Sequence, residues 1–135
     1  MAGYSGTPLP KKLGIKEGAR VALIEAPEGF PSLLEPLPGP VSFVSGPRAS
    51  FDVAVAFFTR AADLSRRFPS LVKRLEPSGG LWIAWPKKSS GVPSDLDENR
   101  IREVGLATGL VDNKVCAIDD TWSGLRFVVR LTDRK

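Results

Sequence analysis

Apolar residues run almost unbroken at two places, residues 51–58 and 81–85, and between them they recur every three or four positions, at Leu64, Phe68, Leu71, Val72 and Leu75. A continuous apolar run bounded by turn residues predicts a strand covered on both faces. The spacing between the runs gathers its side chains within about one hundred degrees of a 3.6-residue helix, with Arg66, Arg67, Lys73 and Arg74 on the opposite side. Thr59 is placed to cap the first free amides of that helix, Pro69 to break or kink it midway, and Glu76-Pro77-Ser78-Gly79-Gly80 to stop it. A buried strand that returns through an amphipathic helix to a second buried strand makes a right-handed crossover, so the two strands are expected to be adjacent and parallel. The remainder of the chain must then cover both faces of a parallel sheet.

The pattern on either side completes a three-layer α/β domain. Residues 7–14 read as a short helix, with Thr7 as cap, Pro8 at the first helical position and Gly14 as stop, lying as a lid over one sheet edge. Residues 20–24 form a first strand, 31–37 a short helix or turn ended by Pro38-Gly39-Pro40, and 41–44 a short strand. Beyond Trp85, Ser94 is a candidate cap, with Asp95, Asp97 and Glu98 favouring the positive end of a helix whose apolar side holds Leu96, Ile101, Val104 and Leu106 and which Gly109 can end. Residues 111–118 and 125–131 read as an antiparallel hairpin around a turn at 119–124. No repeat, low-complexity tract or compositional break divides the 135 residues, so one domain is expected, with residues 1–15 as a mobile arm or short capping helix.

Charge changes this picture little. The formal net charge of +4 is spread as +1 over residues 1–60 and +3 over the rest, without the Lys/Arg run or basic tail of an evident polyanion binder. Nucleic-acid association therefore rests only on Arg66, Arg67, Lys73 and Arg74 along one helix face and is the least favoured reading. No apolar run approaches the ~20 residues of a membrane span. Met1 to Gly6 lacks a charged segment followed by an apolar one, so no secretory signal is visible and a cytoplasmic location is the expectation.

Candidate chemistry is thin. The chain has no histidine, the commonest general base and metal ligand, and with a single cysteine no zinc site is expected. Cys116 is more readily a small core residue than a nucleophile, and the pair Asp119-Asp120 more readily a turn former than an acid/base couple. No catalytic residue, metal or cofactor is assigned.

From Phe51 onward the order of elements resembles the second half of the class I S-adenosylmethionine-dependent methyltransferase fold, with Phe51-Asp52 opening a strand, Pro77-Ser78-Gly79-Gly80 before an apolar Leu81-Trp82-Ile83, then a helix and a terminal antiparallel hairpin. That resemblance implies a Rossmann-like, mostly parallel sheet. Two cofactor marks depart from it. The loop Glu25-Ala26-Pro27-Glu28-Gly29-Phe30 has one glycine, one proline and two acids where a pyrophosphate-approaching loop has three glycines, and Ser45-Gly46-Pro47-Arg48 follows the second strand where an acid would hold a ribose. The resemblance therefore counts for the fold and against cofactor binding in the usual place. The chain is also similar to a bacterial family known as domain of unknown function 3052. The shared features are Gly3-Tyr4-Ser5-Gly6-Thr7-Pro8-Leu9, Lys12-Leu13-Gly14-Ile15-Lys16, Ala84-Trp85-Pro86-Lys87-Lys88, Gly109 to Cys116, and Trp122-Ser123-Gly124-Leu125. That family implies no activity.

In open α/β sheets ligands bind at the carboxyl edge of the strands. Lys87-Lys88-Ser89 leaves the strand at 81–85 on that edge, Thr59 and Arg60 leave the preceding strand there, and a hairpin in the same sheet would bring Asp119, Trp122 and Ser123 to join them. Two lysines, hydroxyls and an indole suit an anion by charge and a flat group by stacking. The bland alternative is a solvated loop with Trp122 as hairpin anchor. Three functions follow from different classes: a noncatalytic α/β module binding a protein partner or a small anionic ligand, a degenerate transferase using S-adenosylmethionine or a nucleotide, and a basic nucleic-acid-associated protein.

Overall fold

The computed structural model describes residues 7–134. In chain order the elements are α1 (Leu9–Leu13), β1 (Arg20–Ile24), α2 (Phe30–Leu33), β2 (Ser42–Phe43), β3 (Phe51–Phe57), α3 (Ala61–Arg74), β4 (Leu75–Pro86), a 3-10 turn at Lys88–Ser90, α4 (Glu98–Ala107), β5 (Val111–Ala117), β6 (Trp122–Val128) and a 3-10 turn at Leu131–Asp133. The six strands form one sheet in the order β2-β1-β3-β4-β6-β5. β2, β1, β3 and β4 are mutually parallel, and β6 runs antiparallel to β4 and β5.

β3 and β4 are the buried, adjacent parallel pair that their unbroken apolar runs require, in register from Val53 opposite Gly80 to Phe57 opposite Ala84. Their alternate side chains divide between two cores. Ala54, Ala56, Leu81 and Ile83 face α3 and α4, where Leu64, Phe68, Leu71 and Ile101 meet them. Val53, Val55, Phe57, Trp82 and Ala84 face the other layer, with Leu13, Ile15, Phe30 and Leu34. Alanines on the first face let α3 lie close to the sheet. α4 is brought equally close by Gly105, where a Cβ would stand 2.0 Å from Cε1 of Phe127.

Several element ends differ from those the local pattern predicts. α3 runs through Pro69 without a break. The missing bond of a proline costs one link of the ladder, and a buried Leu64, Phe68 and Leu71 on the sheet side outweigh it. Thr59 does not cap α3. Arg60 occupies the cap position with no side-chain bond, and the amide of Ala61 donates instead to Asp95 Oδ1 at 2.7 Å. Ser94 likewise does not cap α4. Its hydroxyl donates to the carbonyl of Thr59, while Asp97 caps α4 by accepting from the Arg100 amide at 2.8 Å. α3 does end at Arg74, just ahead of the stretch expected to stop it, but residues 76–79 are a bulge within β4, since Phe51 pairs with Leu75 and Val53 with Gly80.

β6 begins at Trp122, inside the stretch expected as a turn, and ends at Val128, leaving Leu131 79% exposed. α1 begins at Leu9 after a Pro8 cap, and lies on the face of the sheet rather than over an edge. Its Leu13 is fully buried and the Leu13 carbonyl accepts from Trp82 Nε1 at 2.9 Å. Of the mobile arm or capping helix expected over residues 1–15, residues 1–6 lie outside the described residues. No helix of the described residues is long and apolar enough to cross a membrane.

Candidate functional site: a cleft at the carboxyl edge

β1, β3 and β4 all end on one edge of the sheet, and the chain leaving β1 decides what that edge can hold. Glu25, the first residue past β1, has φ +55°, a left-handed conformation that favours glycine, and its side chain is 69% exposed. The turn that glycine ordinarily makes is therefore kept, but it carries a carboxylate. α2 follows as a single turn of four residues with a proline at its start, which removes an amide from the end that would face a phosphate.

Between this turn, the end of β3 and the start of β6 lies a cleft of about 360 Å³. Its apolar wall is built from Phe57 and Trp122, whose rings meet edge to face with centroids 5.0 Å apart; Phe30 supports Phe57 from behind at 4.9 Å. Thr59 lines it where β3 ends, and α3 supplies Asp63, Arg66 and Arg67. Arg67 Nη1 stands 3.4 Å from Glu25 Oε1, and Arg66 Nη2 stands 3.2 Å from Asp63 Oδ1. Both pairs reach solvent, so each is worth about 0–1 kcal/mol and can open for a competing anion.

The residues expected at this edge separate into two groups. Thr59 and Trp122 line the cleft. Lys87 and Asp119 do come together, but as the anchor of the β5–β6 turn. Lys87 Nζ donates to the Asp119 carbonyl at 2.7 Å, its amide donates to the Thr121 carbonyl at 2.7 Å, and the Asp119 carboxylate accepts from the amides of Thr121 and Trp122, each at 2.8 Å. Asp119 is thus the turn former that its type suggests, and the turn sets Trp122 at the cleft. Ser123 sits within the sheet opposite Trp85. Lys88 and Ser89 are exposed on the 3-10 turn and Arg60 is exposed before α3, and none of the three lines the cleft.

Four charged residues of the cleft, Glu25, Asp63, Arg66 and Arg67, lie outside the set expected at this edge. The signal lay in register: Ile24 pairs with Ala56, which sets residue 25 beside the end of β3, and a crossover helix begins at the same edge. The basic helix face is also narrower than its spacing suggests. Arg74 turns inward, its Nε donating to the Ala49 carbonyl at 2.7 Å and its guanidinium lying 5.4 Å from the Phe51 ring centroid. Burial, with the charge of Arg67, pushes the Arg74 pKa down. Cys116 is half-buried on β5 rather than a full core residue, and burial pushes its thiol pKa up against the opposing pull of Lys12. Among the described residues no group of three or more His, Cys, Asp or Glu could hold a metal ion.

No family model matches the chain, and no curated protein is a significant match to it in sequence. Solved structures are similar to it in shape. A SAM-dependent methyltransferase from Aquifex aeolicus superposes with a TM-score of 0.64 at 18% identity, over 89% of this chain and 87% of its own. The Methanococcus jannaschii fibrillarin, a pre-rRNA processing protein, gives 0.58 at 13% identity over 91% and 69%. Aeropyrum pernix fibrillarin with natively bound S-adenosyl-L-methionine gives 0.56 at 14% over 90% and 69%. The fold is that of the S-adenosylmethionine-dependent methyltransferases. The antiparallel β6 between β4 and β5 belongs to that likeness.

Proposed function

We propose that this chain is a noncatalytic module of the methyltransferase-like fold that binds a small anionic ligand with a flat ring in the cleft at the carboxyl edge. The observation that carries the reading is the pairing of an aromatic wall with exchangeable arginines. Trp122, partly exposed and in edge-to-face contact with Phe57, lines the cleft as an aromatic surface, while Arg66 and Arg67 each hold only an exposed carboxylate that a ligand's phosphate or carboxylate can replace. Catalysis has little support: the carboxylates at the cleft, Glu25 and Asp63, are 69% and 49% exposed, and the chain contains no histidine. The similarity of its motifs to domain of unknown function 3052 supports placing the chain with that bacterial family, and an unpaired Cys116 fits a reducing cytoplasm.

A thermal-shift screen of aryl phosphates, aryl carboxylates and mononucleotides tests the reading, because a ligand that binds the native state raises its melting temperature. At least one such compound is expected to raise it, and Trp122→Ala is expected to remove the rise. A rise that survives Trp122→Ala, or no rise with any compound, defeats the proposal. The second reading, a degenerate transferase, is favoured by the fold likeness alone, and a rise with S-adenosylmethionine in the same screen would put it first.

A further inference from the structure

At the opposite end of the sheet, where the parallel strands begin, a second pocket of about 540 Å³ opens between α1, the bulge of β4 and the β5–β6 hairpin. We propose that it is a binding site for a small phosphorylated molecule, held by Arg126, Lys114 and Lys16 with the Ser78 hydroxyl. This site is distinct from the carboxyl-edge cleft and does not depend on it.

Three observations converge on an anion. Lys114 and Arg126 are directly opposite one another on β5 and β6, so their like charges share one face of the sheet, an arrangement that destabilises a strand pair unless something negative lies between. Arg126 is half-buried and, among the described residues, no carboxylate or carbonyl accepts from it. A guanidinium drawn partly out of water without an acceptor is unfavourable, and burial together with the nearby charge of Arg134 pushes its pKa down. The main chain is also shaped to receive it. A Cβ on Gly80 would stand 2.3 Å from Arg126 Nε, so the glycine that follows the bulge is what lets the guanidinium lie against β4, while Gly79 lets the bulge pass the Asp52 carbonyl, 2.3 Å from where its Cβ would be.

The acids lining the pocket do not cancel this charge. Asp52 is engaged by Arg20, whose amide donates to Oδ2 at 2.8 Å and whose Nε stands 3.4 Å from it, which leaves Glu17 as the one other lining carboxylate against Lys16, Lys114 and Arg126. Lys12 adds a further cation from α1, its Nζ donating to the Ala117 carbonyl at 3.1 Å. The cations converge on a recess from separate elements instead of forming a track along the surface, which suits a compact phosphate-bearing molecule better than a nucleic-acid duplex.

The test is a set of thermal melts and calorimetric titrations of the whole chain with inorganic pyrophosphate, at ionic strength held constant with chloride. Pyrophosphate is expected to raise the melting temperature of the unaltered protein. Lys114→Gln, an exposed position, should do two opposite things: raise the melting temperature without ligand by about 1–4 °C as the like-charge contact is relieved, and weaken pyrophosphate binding about tenfold or more. Arg100→Gln, on the exposed side of α4, should change neither. No response of the unaltered protein to pyrophosphate, or a response that chloride reproduces, overturns the site. A response unchanged in Lys114→Gln overturns it as well, and if that response disappears in Trp122→Ala the anion belongs to the carboxyl-edge cleft instead. Binding of a DNA duplex with no response to pyrophosphate overturns it in favour of a nucleic-acid surface.

Discussion

Leu71→Ala is the sharpest test of which side of α3 meets the sheet. Leu71 is 1% exposed and sits in the cluster with Leu64, Phe68 and the alanines of β3. The substitution removes three carbon atoms, which at about 0.8 kcal/mol each forfeits roughly 2.5 kcal/mol of transfer free energy. A cavity contribution adds to this. Leu→Ala changes at fully buried sites cost about 2–5 kcal/mol once the cavity is included, so the total is expected near 3–4 kcal/mol. Arg66→Ala on the same helix is the control: its side chain is 71% exposed in a surface pair with Asp63, and its loss should cost under ~0.5 kcal/mol. Urea denaturation followed by tryptophan fluorescence reads both, with the midpoint expected to fall strongly for Leu71→Ala at an unchanged slope. Similar losses in the two variants, or a loss below about 1 kcal/mol for Leu71→Ala, would show that the helix face has been assigned wrongly.

Gly105→Ala should destabilise the protein by about 1–3 kcal/mol even though alanine is the better helix former by about 1 kcal/mol, because the added methyl meets the fully buried Phe127 ring; circular-dichroism melts decide the sign. Asp95→Ala should cost about 0.5–2 kcal/mol through loss of the bond to the Ala61 amide, whereas Thr59→Ala should cost under ~0.5; the reverse order by urea denaturation would restore Thr59 as the cap. Because burial pushes the Cys116 thiol pKa up, its thiolate fraction at pH 8.5 is smaller in the folded than in the unfolded chain, and iodoacetamide should label the native protein more slowly than the protein in urea; equal rates would contradict this.

The layers of the fold were legible because buried parallel strands leave an unmistakable pattern, unbroken apolar runs on either side of a 3.6-residue stripe. Caps were not, because Thr59, Ser94 and Asp95 are all competent oxygen acceptors and only the tertiary approach of the 94–96 loop to α3 selects Asp95 for Ala61. The bulge at 76–79 reads locally as a helix stop and turn. Its role emerges only from pairing with β3, where the register slips, and from Arg126, which needs the space above Gly80. The edge of the sheet at which ligands gather was predictable from strand direction, and Thr59 and Trp122 reach it. The charged residues beside them depend on which strand neighbours β1, a fact that no local pattern contains.

The sheet is methyltransferase-like, and its first loop has Glu25 in a left-handed turn and a proline at the start of a one-turn α2 in place of the glycine-rich loop that approaches a dinucleotide pyrophosphate. Calorimetric titration of S-adenosylmethionine and of a dinucleotide into the whole chain measures this directly. No saturable binding at micromolar concentration is expected for either ligand. Micromolar binding that disappears when Gly29 is replaced by valine would contradict it and return the chain to the cofactor-using members of its fold.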